Sequence, residues 1–596
     1  MKIISLLFIF IFSIHSALFA NSIHIKEALN LKIYNEKYWL MLLHYENNKS
    51  LINTKEFFIA KDGNVDPKAE LLATLRSFDN NSSMICKYPA RYKWLNNKLQ
   101  LNLKKPNCQE LNQLKAKQFN SISVIFASPR YDSPGSTFGH TFLRFGSPLI
   151  DYAVNYVAPI PANIGNFDYV YGGLTGKFKS YYKYLPYAII SNEYRKEESR
   201  DILQYKINFS QDEVTNIILH LYEIKDVNQD YYFISKNCSS ELLKLLDMGN
   251  YDSSLSQYLN KSTIPIDIIY ILENNNLIDK ILEEPSQIKI LYKNIATLTF
   301  KEKKILKNIL FKKRAIGKFD RDKKITNAKK ALLIKIAISY LELKSLDSEF
   351  NQQNMKKLIK LVKLRLKYKI TKDQMRSKIV KNNPITNNTK KIYISTLSQE
   401  NINYNIVGGR YLYKNRYDLQ NSTIDYGSVE LLDLSLRYNN RSIISLNKFL
   451  LIKLEALPSS NYLFIKPTTT IESGIRRIVH FDDKLYKYGY YQKGINYELS
   501  SNILFNNSIS IGVIHNQNIT YNSTFKSTLE YHHKNQFISQ IKYKKELYST
   551  SKYSAQIIFS NYIKISKNST LNSTILNTNY NNSNYTQYQL SYNIFF

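Results

Sequence analysis

From about Ile392 to the last residue, Phe596, apolar and aromatic side chains recur at every second position. That is the period of a β-strand, whose side chains alternate between two faces. Segments such as Ser428–Tyr438, Ser442–Leu454, Tyr486–Leu499, Ile509–Ile514, Thr524–Tyr531, Phe537–Leu547, Ala555–Ile565 and Tyr585–Phe596 are separated by clusters of Asn, Ser, Lys and Asp. They are aromatic-rich and close to the length that a strand needs to cross a bilayer. The region 391–596, at about 17–20 residues per strand and turn, has room for about 10–12 antiparallel strands of an outer-membrane β-barrel. A soluble β-sandwich would show the same period. The terminal alternation Leu590-Ser-Tyr-Asn-Ile-Phe-Phe596, ending on Phe as barrel-assembly machinery requires, favours the barrel.

The other end of the chain points the same way. Lys2 precedes an apolar run, Ile3 to Ile14, and then His15-Ser-Ala-Leu-Phe-Ala20. A short positive start, about a dozen apolar residues and a small residue at the end read as a signal peptide over 1–20. No later segment approaches 18 unbroken apolar residues, so no helix is expected to span a membrane. An exported chain without a helical anchor is either soluble or a barrel. The expected place is therefore the outer membrane, with the N-terminal domains in the periplasm and membrane lipid as the first partner.

Charge bears on other partners. The 82 Lys+Arg against 48 Asp+Glu give a formal net charge of +34. The lysines are spread along the whole chain rather than gathered in a stripe, so nucleic acid is not expected as a partner. A solvated basic surface meeting anionic lipid or cell-wall polymer is the plainer reading.

Between the two ends the texture changes three times. Residues 21–120 read as a mainly helical domain, with Tyr38-Trp-Leu-Met-Leu-Leu-His-Tyr45 and Glu70–Phe78 apolar at helical spacing. Residues 121–255 alternate between strands and helices. Ser121–Ala127 is β-rich, and Thr141–Phe145 and Ile150–Val157 flank Gly146-Ser-Pro148 as a hairpin. Ser210 with Glu213 opens an amphipathic helix with a capping box. Tyr231–Ile234 is a short strand, and Ser239–Met248 is a helix with Cys238 at its start. Residues 256–390 are Lys-rich helices, including Ala331–Leu343 and Met355–Leu366, followed by a polar linker over 376–390.

Three cysteines occur, Cys86, Cys108 and Cys238. In an oxidising compartment two should pair. Cys86 and Cys108 are close in sequence, which leaves Cys238 as a thiol. A thiol nucleophile needs a base, and a helix start favours its anion. Cys238 has the helix start, and its own N–H with a neighbouring one would serve an oxyanion. The base would be His140, at the start of the first hairpin strand. If the turn is Gly146–Leu149, position 155 lies opposite 140, so Asn155 would orient the imidazole; Asp151 or Tyr152 would do so in another register. His220, on the apolar face of its helix, and His44 read as core. No metal cluster, phosphate loop or cofactor motif is visible, so no cofactor is expected.

The same region carries Ser133-Pro-Gly-Ser-Thr-Phe-Gly-His140-Thr-Phe-Leu-Arg144, Asp151-Tyr-Ala-Val-Asn155-Tyr, Gly172-Gly-Leu-Thr-Gly176, Tyr194, Arg200-Asp201 and Asn237-Cys238. These motifs resemble the DUF4105 family, the Lnb N-terminal periplasmic domain, over most of 121–250. Trp39–Tyr45, Phe57-Phe58 and Cys86-Lys-Tyr-Pro-Ala-Arg91 resemble that family's usual neighbours. The family looks related to the NlpC/P60 and lecithin:retinol acyltransferase group, α+β papain-like folds in permuted order. The resemblance implies Cys238 as nucleophile and His140 as base. The third residue in NlpC/P60 proteins falls about where Tyr152 stands here; an amide orients imidazole better than a phenol, which keeps Asn155 first. The expectation is a thiol hydrolase or acyltransferase acting on envelope peptide amides, with peptidoglycan or lipoproteins as partners. The alternative is a barrel pore or scaffold whose periplasmic domain binds without turnover.

Overall fold

The computed structural model describes residues 23–596 apart from 105, 132–135, 162, 253–254, 260–261, 313, 347–349, 369–377, 381–388, 400–401, 419–426, 440–443, 462, 479–482, 501 and 534–536. The signal segment expected over 1–20 and most of the expected linker lie outside the described residues. The chain folds as two compact units, one from residues up to 127 with 140–193 and 202–282, the other from 128–139, 194–201 and 283–596.

The first unit opens with helices α1 (Lys37–Leu42), α2 (Pro67–Asn80) and α3 (Pro89–Leu99). Asp66 caps α2, accepting from the N–H groups of Lys68 and Ala69, and Pro67 fits the first turn because no N–H is needed there. Trp39 and Trp94 stack at 6.1 Å in the core between these helices. A disulfide joins Cys86 to Cys108.

An antiparallel sheet follows. Its strands include β1 (Ser121–Ala127), β2 (His140–Gly146), β3 (Tyr152–Val157), β4 (Phe178–Pro186), β5 (Ile202–Ile207) and β6 (Gln229–Tyr231), which lie in the spatial order β5-β1-β2-β3-β4-β6. Helices α4 (Asn166–Thr175), α5 (Gln211–Glu223) and α6 (Cys238–Asp247) complete it. The capping box expected at Ser210 and Glu213 is present.

One buried charge ties the helical region to this sheet. Arg91 is fully buried on α3 and its Nη1 lies 2.6 Å from Glu70 Oε1 on α2. Glu223 at the end of α5 accepts the backbone N–H groups of Ala90 and Arg91, at 2.6 and 2.8 Å. Removing one partner of such a network leaves a desolvated charge alone. Arg91→Ala is therefore expected to cost about 3–5 kcal/mol. The chain's two tryptophans, Trp39 and Trp94, both sit in this core, so fluorescence-detected denaturation isolates the effect from the barrel.

The second unit begins with helices α7 (Gln287–Ala296), α8 (Phe300–Phe311), α9 (Asn327–Lys344) and α10 (Gln352–Arg365). Their lysines are at least partly exposed except Lys330, which is buried and donates to the Asp320 carbonyl, and Leu291, Leu306, Ile334, Leu341 and Leu361 form the core. Twelve antiparallel strands then close on themselves: β7 (Lys391–Gln399), β8 (Ile402–Lys414), β9 (Gly427–Asn439), β10 (Ile444–Ala456), β11 (Pro467–Arg477), β12 (Leu485–Ser500), β13 (Ile503–His515), β14 (Ile519–His533), β15 (Phe537–Tyr548), β16 (Tyr553–Ser566), β17 (Ser569–Tyr580) and β18 (Ser583–Phe595). Closure is made by β7 on β18, from Lys391 opposite Phe595 to Gln399 opposite Gln587. The period of two sorts the side chains: Ile509, Ile511, Phe525, Leu529, Ile541 and Ile557 face outward and exposed, while Ser508, Ser510, Thr524, Thr528, Gln540 and Ser560 face the lumen.

The connections at the end where the chain enters the barrel include two long ones. That between β10 and β11 brings Phe464 into the helical core, 4.8 Å from the ring of Tyr340. The first residues after β8, Asn415–Asp418, turn into the bore. Tyr417 stacks on Tyr562 of β16 at 4.3 Å and donates to Glu530 of β14 at 2.7 Å, while Arg416 pairs with Glu530 at 2.8 Å. β14 lies across the barrel from β8, so this turn spans the lumen. Replacing Arg416 and Tyr417 together by Ser is expected to raise single-channel conductance in planar bilayers; an unchanged conductance would mean that the turn is not what limits flow.

Candidate active site

Gly139 precedes β2 with φ of 86°, a left-handed conformation that glycine adopts without strain. The chain then enters β2 at His140, whose register partner on β1 is Ala127. On the next strand Leu143 faces Val154 and Phe145 faces Tyr152. The position opposite His140 is thus 157, not 155, because the turn between β2 and β3 is longer than the four residues of Gly146–Leu149. The difference is two residues, and a shift of two keeps a side chain on the same face of a sheet. Asn155 consequently sits diagonal to His140 on that face, and its Oδ1 lies 2.6 Å from His140 Nε2. An amide oxygen only accepts, so Nε2 carries the proton.

The two alternative orienting residues lie elsewhere. Asp151 accepts from Arg144 Nε at 3.0 Å and from the Ser147 N–H at 3.0 Å. Tyr152 packs edge-on against Phe119 and under the ammonium of Lys117, which is 3.9 Å from its ring. An odd offset of three residues puts Tyr152 on the opposite face of the strand from Asn155.

Cys238 is the first residue of α6, and Asn237 before it is the cap. The Asn237 Oδ1 accepts from the N–H groups of Ser239 at 2.9 Å and Ser240 at 3.3 Å, while Ser240 Oγ accepts from the Asn237 N–H at 3.0 Å. Asn237 Nδ2 donates to the carbonyls of Phe233 and Thr263, at 3.0 and 2.6 Å. The cap therefore pins the start of the helix to the preceding turn and to residue 263. It also occupies the N–H of Ser239, the residue next to Cys238.

The thiol is 3% exposed. Burial by itself raises its pKa, but the charge of His140 and a hydrogen bond from that imidazole lower it, as do the backbone of Thr141 and the hydroxyl of Ser239. The balance pushes Cys238 down to about 6. Thr141 Oγ1 and Ser239 Oγ stand 3.9 and 3.8 Å from the sulfur. These two hydroxyls were not singled out from the sequence, where nothing separates them from other Ser and Thr residues.

The glycine motif at 172–176 serves the turn before Cys238. The Phe233 N–H donates to the Gly173 carbonyl at 2.8 Å. A Cβ on Gly173 would meet the Phe233 ring at 2.3 Å, and one on Gly176 would meet the Tyr232 ring at 2.2 Å. The backbone of α4 thus lies directly on the chain leading into α6. The histidines expected in the core are there: His44 and His220 are buried with their Nε2 atoms 3.0 Å apart. Burial holds His44 down to about 3. Among the described residues no group of three or more His, Cys, Asp or Glu is placed to hold a metal ion.

Family comparison finds three matches along the chain. Residues 110–275 match the family described as the Lnb N-terminal periplasmic domain, residues 31–98 match DUF7843, and residues 385–595 match DUF7840, both described as domains of unknown function. A comparison with curated proteins finds no match. Among solved structures the chain is similar to the KdgM porin (10% identity, TM-score 0.23), the NanC porin (8%, 0.24) and Omp33 of Acinetobacter baumannii (10%, 0.21), each over 35% of this chain and 99% of the other. The closed barrel with its apolar exterior and the Lnb-type domain ahead of it make this an outer-membrane β-barrel protein with a periplasmic N-terminal domain.

Gly173→Ala tests the close approach at the glycine motif. Overpacking there should cost about 1–3 kcal/mol and shift the turn that leads to Cys238. The expected readout is a lower unfolding midpoint together with a changed Cys238 alkylation rate.

Proposed function

We propose that the periplasmic domain is a thiol hydrolase or acyltransferase in which Cys238 is the nucleophile, His140 the base and Asn155 the residue that positions the imidazole. The observation that carries this reading is a buried thiol at a helix start whose ionisation is favoured by an adjacent histidine, the arrangement that nucleophilic cysteines require. With Nε2 given to Asn155, Nδ1 is the nitrogen directed to the sulfur. The thiolate attacks a carbonyl, the imidazolium protonates the leaving group, and water or a second acceptor resolves the thioester. The order of histidine on a strand and cysteine at a later helix start resembles that of DUF4105 and NlpC/P60 proteins, papain-like folds in permuted order. That likeness favours peptide amides of the cell wall over ester or lipoprotein substrates. Loss of Cys238 with an unchanged stem-peptide profile would count against the peptidase version.

The turn across the bore favours a second reading of the barrel as an anchor or scaffold rather than an open pore. In its non-catalytic form, Cys238 would be dispensable for whatever the protein supports.

The ionisation is testable without a substrate. With Cys86 and Cys108 joined, Cys238 is the thiol that reports. Its alkylation by iodoacetamide should rise with pH through about 6 and level off by neutrality. In His140→Ala, burial is unopposed by the imidazole, so the midpoint should move above the ordinary thiol value of 9.0. At pH 7 the rate should fall about 100-fold or more, since each unit of pKa is tenfold in thiolate. A midpoint that ignores His140 would remove the base from the scheme.

A further inference from the structure

α10 is the last helix before the barrel, and it carries an apolar stripe that its own unit does not cover. Leu361 is buried in the helical core, with Leu358 and Leu364 packed against it. Met355, Ile359 and Val362 are each close to half exposed, and Leu366, one residue past the helix, is 88% exposed. Their spacings put all four side chains within an arc of about 60° on a helix of about 3.6 residues per turn. Residues 352–367 also hold Lys356, Lys357, Lys360, Lys363, Arg365 and Lys367, and no Asp or Glu. Lys357 donates to the Leu310 carbonyl, and Lys367 pairs with Asp320 at 3.1 Å. Lys356, Lys360 and Lys363 are exposed, and no carboxylate among the described residues pairs with them. By the same helical geometry these three form one band along an edge of the stripe.

We infer that this face of α10 docks on anionic phospholipid of the periplasmic leaflet. Met355, Ile359, Val362 and Leu366 enter the acyl boundary, and the lysine band meets the phosphates. A helix with an apolar face bordered by lysines is the kind that lies in the plane of a membrane surface. A cluster of lysines on such a helix is drawn to anionic headgroups.

The helices are tied to the end of the barrel at which the chain enters it. Phe464, from the connection between β10 and β11, packs on Tyr340 of α9. The Tyr292 hydroxyl of α7 donates to the Ser459 carbonyl of the same connection at 3.4 Å. α10 packs in turn on α9, and helices and barrel belong to one compact unit. A barrel seated in the bilayer therefore keeps α10 close to the periplasmic leaflet. A second copy of the chain suits this face less well, because a symmetric contact would set the same lysines against each other. An anionic bilayer supplies both the apolar depth and the negative charge that the face lacks.

The test uses the full chain in nanodiscs, where both leaflets are accessible, and does not depend on the thiol chemistry. In a Cys238→Ala background, with Cys86 and Cys108 joined, Ile359→Cys supplies one thiol for an environment-sensitive fluorophore. Val362→Cys repeats the measurement on the stripe. Gln353→Cys, exposed on the same helix but off the stripe, is the reference. The bilayers contain phosphatidylcholine with a nitroxide on its acyl chain, with or without phosphatidylglycerol. With phosphatidylglycerol, labels at Ile359 and Val362 are expected to shift to the blue and to be quenched by the nitroxide lipid, while the label at Gln353 stays in water. The ratio of docked to free helix, read from the quenching, should fall about fivefold for each of Lys356, Lys360 and Lys363 replaced by Gln. It should also fall as salt is raised. Quenching at Ile359 and Val362 no greater than at Gln353 would overturn the inference. So would quenching that ignores both phosphatidylglycerol and the lysines. A blue shift that follows protein concentration rather than nitroxide lipid would overturn it too, and would make a second copy the occupant.

Discussion

Hydrocarbon offers no hydrogen-bond partner to a backbone N–H or C=O, and residues 391–595 are arranged around that one constraint. Strands in a bilayer must satisfy each other all the way round, so β7 has to meet β18, and the strand that ends at Phe595 becomes the closing one. Closure then dictates side-chain chemistry. Each strand has one face on lipid and one on the lumen, which places Ile509 and Ile511 outside and Ser508 and Ser510 inside on β13 alone. It also leaves a polar bore, and the turn carrying Arg416 and Tyr417 uses that bore by pairing with Glu530 on the far wall.

The periplasmic unit meets a different demand, the holding of an ionisable sulfur away from water. Burial opposes the thiolate, and what offsets it is local: the imidazole of His140, the backbone of Thr141 and the hydroxyl of Ser239. None of these would hold position without supports that carry no chemistry. Asn237 binds the helix start to residues 233 and 263, Gly173 lets α4 rest on Phe233, and Asn155 fixes the histidine ring. At a greater distance, Arg91 binds α3 to Glu70 and to the end of α5. The family match over 31–98 beside the one over 110–275 fits with that physical dependence.

How much of this could be read in the chain varied with the signal. Strands with large apolar side chains on the lipid face, such as Phe537–Tyr548, stand out by period. Those whose alternation is diluted do not: β8 carries Gly408 and Gly409, and β17 reads Ser-Thr-Leu-Asn-Ser-Thr in its first half. Space for them was implied by the length of the region rather than by their own pattern. The pairing of Cys86 with Cys108 followed from compartment and count. The register of β2 on β3 differs by two residues from the one a four-residue turn would set, because the length of a turn is set by how its residues fold, here with Asp151 tied to Arg144 and Ser147. Asn155 still reaches His140, since a sheet repeats its faces every second residue.

The amino-acid order by itself determined what depends on local pattern: a period of two that requires strands, a terminal Phe, capped helices, an odd cysteine at a helix start and a histidine after a glycine turn. These are decided within a few residues of each other, where backbone preference and hydrophobic alternation act. The tertiary structure alone decided what depends on distance between remote segments. That includes the closure of twelve strands, the diagonal placing of Asn155 and the occupation of the Ser239 N–H by the cap. Such contacts turn on turn lengths and packing summed over the whole fold, and a difference of a few ångströms, invisible in local pattern, separates a hydrogen bond from none.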